Sequence, residues 1–75
     1  MTDTPVPTDD ALDQLAWVRD SGLVNMMDVH GVEYLAQESA YYDLALFCAE
    51  VQALRVGRGT VWMGALNAMV DRSTQ

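Results

Sequence analysis

Three helix boundaries are written before residue 30, and they confine the chain to short helices. Thr8 is placed to accept from the exposed amides of a first helix, with Asp9 and Asp10 in its first turn, where negative charge meets the dipole favourably. Ser21-Gly22 reads as the end of that helix, because Gly takes the left-handed conformation that closes a helix at little steric cost. Asp28 reads as the cap of the next, with Met27 and Val32 at the two positions of a hydrophobic staple and Asn25 as a competing cap.

Apolar spacing fills the intervals. Leu12, Leu15, Ala16 and Arg19 share one face of a helix running to about Asp20, with Ala11 and Val18 beside it. Trp17 lies toward the flank and is expected to pack on a neighbouring helix. After Asp28 come Val29, Val32, Leu35 and Ala36, then Tyr41, Leu44, Ala45, Phe47, Cys48, Val51 and Leu54. Gln37 to Ala40 contain no Gly or Pro, so one long helix and a break near Ser39 both fit. The break, with Ser39 as a cap, is the preferred reading. Val56-Gly57-Arg58-Gly59 makes a turn, and Thr60 is the expected cap of a last helix from Val61 to about Asp71. The expectation is all-α: a small bundle of three to four short helices over residues 9–72, preceded by a disordered acidic N-terminus at residues 1–8, where Pro5 and Pro7 oppose helix.

The chain has 75 residues and is 51% apolar. A domain this short buries about 60% of its unfolded surface, so its core is marginal. One Cys makes no internal disulfide, and no metal-ligand cluster stands out, so no cofactor or metal is expected. A small chain richer in apolar residues than it can hide invites a partner. The last helix focuses that expectation. Val61, Trp62, Met63, Leu66, Met69 and Val70 surround it, and Gly64 and Ala68 would let another backbone approach. Those six are the candidate interface, with a homodimer expected. The competing reading makes this helix the centre of the bundle.

Net charge is −7, unevenly placed. Residues 1–50 hold ten acids and Arg19; residues 51–75 hold Arg55, Arg58 and Arg72 against Asp71. Such a chain does not approach phosphates readily, so direct nucleic-acid binding is not expected. Ala36, Ala40 and Leu46 do have helix-turn-helix spacing, but the would-be recognition helix carries Asp43 and Glu50 and no base. The acids Asp9, Asp10, Asp13, Asp20, Glu33, Glu38, Asp43 and Glu50 form a candidate acidic surface, either merely solvated or mimicking nucleic acid in the basic groove of another protein. Gly57-Arg58-Gly59 lacks the strand before it and the Lys-Ser/Thr after it that a phosphate loop needs.

Catalytic residues are not evident. His30 and Glu33 are three apart but have no second pair to complete a metal site. Cys48 lies on the apolar stripe of Leu44, Phe47 and Val51 and reads as a small buried hydrophobe. No enzyme is expected. No stretch reaches the roughly 18 apolar residues of a membrane span. MTDTPVPTDD has neither the basic region nor the apolar core of a signal peptide, and with one Cys the expected compartment is a reducing cytoplasm.

Arg19-Asp20-Ser21-Gly22-x-x-Asn25-Met26-x-Asp28, followed by Val32, Ala36 and Tyr41-Tyr42-Asp43-Leu44, resembles an uncharacterised family of short domains borne by bacteriophages and prophages. The likeness covers about residues 15–52. Met27 stands where that pattern has an aromatic residue and Ala40 where it has Gly, which weakens the expectation of a sharp turn near residue 40. The resemblance implies a helical domain of viral or mobile-element origin and carries no activity. The function expected is that of a non-enzymatic accessory protein binding a host enzyme or defence complex in the host cytoplasm. Nucleic-acid mimicry and a virion or assembly role are the alternatives.

Overall fold

A computed structural model describes residues 4–74. Four helices follow one another: α1 (Asp9–Ser21), α2 (Val29–Glu38), α3 (Tyr42–Gln52) and α4 (Arg58–Ser73). No strand occurs among the described residues. The fold is the expected all-α bundle. Residues 4–8 are not helical, and Pro5 and Pro7 are partly buried. Residues 1–3 of the expected disordered N-terminus lie outside the described residues.

The first boundaries form as the sequence predicts. The Thr8 hydroxyl accepts from the Ala11 amide at 3.1 Å. Gly22 closes α1 at φ 67°, and its amide donates to the Arg19 carbonyl. Asp28 accepts from the Gly31 amide, also at 3.1 Å. The staple does not form as predicted. Met27 is 60% exposed, because the Asn25 side chain accepts from the Met27 amide and turns the chain there. Its neighbour Met26 packs on the core instead.

The break between α2 and α3 is sharper than expected. Ala40 adopts φ 60°, a left-handed conformation usually left to Gly. The Tyr41 amide donates back to the Ala36 carbonyl at 2.8 Å, and the Ala40 amide to Gln37. This pair of bonds is the Schellman closure of α2, formed without its usual glycine. Ser39 therefore ends α2 rather than starting α3. The start of α3 is capped from elsewhere. The Gln14 side-chain oxygen, on α1, accepts from the Leu44 amide at 2.9 Å. Thr60 does not cap α4 either. That helix starts earlier, from Gly57 at φ 82°, a conformation the missing Cβ makes accessible.

α1 and α3 lie between the other two helices: α2 packs on both, and so does α4. The core takes Leu12, Leu15 and Val18 from α1, Val32 and Ala36 from α2, Leu44, Phe47, Cys48 and Val51 from α3, and Trp62, Ala65 and Met69 from α4. Phe47 and Trp62 stack with centroids 6.2 Å apart. The Trp62 indole donates to the Met26 carbonyl at 2.7 Å, so α4 also pins the α1–α2 connection. Among the described residues no buried side-chain polar atom lacks a partner.

Candidate interaction surface

The structure divides the six candidates on α4. Trp62 and Met69 are each 2% exposed and belong to the chain's own core, which corrects their reading as interface anchors. The physical reason is spacing. Trp62, Ala65 and Met69 lie three and four apart, so they fall on one face of α4, and that face meets α1 and α3. Val61 and Leu66 are partly buried against the core, while Met63 and Val70 are exposed. Gly64 and Ala68 line a cavity of about 460 Å³ together with Pro5, Val6 and Pro7. The chain's own N-terminal segment thus lies beside the small residues expected to admit another backbone.

α3 is apolar on two faces as well. Leu44, Phe47, Cys48 and Val51 point inward. On the outer side stand Tyr42, Leu46 and Ala49, followed by Ala53 just past the helix end, and all four are exposed. Tyr42 is 71% and Leu46 63% exposed, two large apolar side chains one helical turn apart. Beside the start of α3, Trp17 of α1 packs on Tyr41 with ring centroids 5.4 Å apart, as its flank position suggests, yet keeps half its surface in solvent. The helix-turn-helix pattern fails here too. Ala36 is buried and Ala40 makes the turn, but Leu46, which that motif needs inside, faces out. The signal for the outer stripe was present in the spacing of Tyr42, Leu46, Ala49 and Ala53. It was masked by the stronger inward stripe on the same helix.

The acidic candidates do not share one face. Asp9 and Asp13 converge on Arg72 of α4, at 3.7 and 2.7 Å, and Asp10 lies on the same turns of α1. Hydrogen bonds from the Arg72 guanidinium hold the Asp13 carboxyl below its ordinary value. Asp20 pairs with Arg19 at the other end of α1. Glu33 accepts from the Gln52 side chain at 2.9 Å, tying α2 to α3. Glu38 stands beside Tyr34 and raises the pKa of that phenol. Asp43 and Glu50 remain exposed on α3, at the edge of the outer stripe.

The chemistry of the remaining candidates is plain. Cys48 is fully buried, and burial pushes its thiol up to about 12, which suppresses the nucleophilic thiolate. His30 is exposed in the first turn of α2. No group of three or more potential metal ligands gathers among the described residues. Arg55, Val56 and Gly57 edge a shallow groove of about 770 Å³ at the α3–α4 turn, and the Arg58 guanidinium donates to the Leu54 carbonyl there. No helix among the described residues is long and apolar enough to cross a membrane.

No curated protein and no solved structure shows significant similarity to the chain. One family does match, over residues 8–54, from the cap of α1 to just past α3 and short of α4. On that match the chain belongs to the family described as Domain of unknown function (DUF5049).

Proposed function

We propose that the protein is a non-enzymatic accessory domain that acts by binding another protein, with the outer face of α3 as its contact surface. One observation carries this reading: Tyr42 and Leu46 stand exposed on a helix whose opposite face already fills the core. Large apolar side chains at helical spacing, left outside a satisfied core, lose surface to water most favourably when a partner covers them. The motif from Arg19 to Leu44 resembles that of phage and prophage domains, and in such a setting the target is a host enzyme or defence complex. Mimicry of nucleic acid draws less support, because Asp9, Asp13 and Asp20 are already paired with arginines of the same chain.

The test is affinity capture from host lysate at low and high salt, with wild type and Leu46→Ser side by side. The expected result is a partner that wild type holds at both salts and Leu46→Ser loses. A partner held equally by both proteins sinks the assignment to α3. No partner at either salt sinks the binding reading itself.

A further inference from the structure

The outer stripe of α3 has the geometry of half a helix–helix seam. Tyr42, Leu46, Ala49 and Ala53 are separated by four, three and four residues, the alternation that keeps one seam facing a second helix. The large residues occupy its N-terminal half and the small ones its C-terminal half. Asp43 and Glu50 are seven apart, both exposed, and border the same edge of the stripe.

A second copy of the chain meets its own charge or a size mismatch at this seam. Paired antiparallel, Tyr42 would cross Ala53 and Leu46 would cross Ala49, so large fits over small and shape alone allows the pair; charge opposes it. The same register sets Asp43 of each copy beside Glu50 of the other, and like charges juxtaposed across an interface are strongly disfavoured. Paired parallel, Tyr42 would meet Tyr42 and Ala49 would meet Ala49, too wide at one end and too narrow at the other.

We infer that the outer face of α3 docks an amphipathic helix of a different protein, one whose apolar stripe is bordered by Lys or Arg. The inference rests on the protein-binding reading above and names the chemistry of the partner. The partner's large apolar residues lie over Ala49 and Ala53, its small ones over Tyr42 and Leu46, and its cations opposite Asp43 and Glu50. The net charge of −7 draws such a helix in from a distance.

The test uses the full chain and two synthetic helical peptides sharing one apolar stripe, alanine toward Tyr42 and Leu46 and leucine toward Ala49 and Ala53, bordered by Lys in the first and by Glu in the second. Binding is read by fluorescence anisotropy and the mass of the chain by sedimentation equilibrium. The Lys peptide is expected to bind roughly several-fold more tightly than the Glu peptide, the size of effect two exposed ion pairs supply. That preference should fade in about 1 M salt, where the Debye length is about 3 Å. Asp43→Asn with Glu50→Gln should abolish the preference, and Leu46→Ser should weaken both peptides. Equal binding of the two peptides overturns the charge assignment while the protein-binding reading stands. Binding of neither overturns the seam, and the lysate capture then decides the broader reading separately. A wild-type dimer that Leu46→Ser converts to monomer overturns the proposal in favour of a second copy.

Discussion

Ala40 shows how one residue departs from its local preference and is held there. A left-handed conformation costs a residue bearing a Cβ about 1–2 kcal/mol. The two hydrogen bonds from Tyr41 and Ala40 to the end of α2, and the burial of Ala36 and Leu44 on either side, hold it there. Ala40→Gly removes the steric cost and adds some chain entropy to the unfolded state, and the net expectation is a gain of about 0.5–1 kcal/mol, read as a higher urea midpoint with unchanged slope. The turn was only half legible in the sequence. The apolar runs on either side pointed to a break, but nothing local marks Ala40 as left-handed; the tertiary packing of α2 on α3 decides it. Asp13 makes a second residue-scale point. Its folded-state pKa is depressed by Arg72, so the stabilisation it contributes is complete above its unfolded value of about 3.9 and is lost as pH falls through the lower folded value. Arg72→Ala should therefore narrow the stability difference between neutral pH and about pH 3, measured by thermal melts across that window. If the variant loses stability between those pH values as steeply as wild type, the Asp13–Arg72 pair is not responsible.

At the scale of elements, α3 depends on α1 for its beginning. No side chain near Tyr41 caps the helix, and Gln14 supplies the acceptor from 30 residues away. Gln14→Ala should cost about 1 kcal/mol, in the range of a lost N-cap, and hydrogen exchange should quicken first at the amides of Asp43 and Leu44. Exchange that quickens uniformly would point to a general loss of packing instead. Such a cap has no sequence signature, because its partner is set by how the helices cross. The last helix was ambiguous for a related reason. Its apolar residues surround the axis, so periodicity alone did not say which side faces inward. Trp62 and Met69 turned out to fill the core, and each truncation to Ala should cost roughly 2–5 kcal/mol. The double variant is expected to lose its cooperative melt by circular dichroism. A folded monomer would return those two residues to the surface.

For the molecule as a whole, the bundle measures 35 × 28 × 18 Å, and its spatial order is not its order in the chain, since α1 and α3 lie between α2 and α4. The residues matched by the family end at Leu54, yet α4 adds Trp62, Ala65 and Met69 to the core that α1–α3 begin. Within that matched stretch the caps at Thr8, Gly22 and Asp28 and the inward stripes were readable from the sequence, while the closure at Ala40 and the Gln14 cap were not. The exposed stripe of α3 was not, since a helix apolar on two sides looks the same whether its second side meets a neighbour or water. Arg72 near the end of α4 reaches Asp9 and Asp13 at the start of α1, and the Arg19 guanidinium lies 3.1 Å from the Met69 sulfur. The first and last helices are thus stitched side by side. The start of α1 lies beside the end of α4, while the segment before α1 runs back along α4 to the α3–α4 turn, where Thr4 lies beside Leu54 and Gly57. A circular permutant that drops residues 1–7, joins the end of α4 to Thr8 through a flexible linker and opens the chain at the exposed Arg55–Gly57 turn should keep the helical content and the outer face of α3, read by circular dichroism, because that cut crosses no core residue.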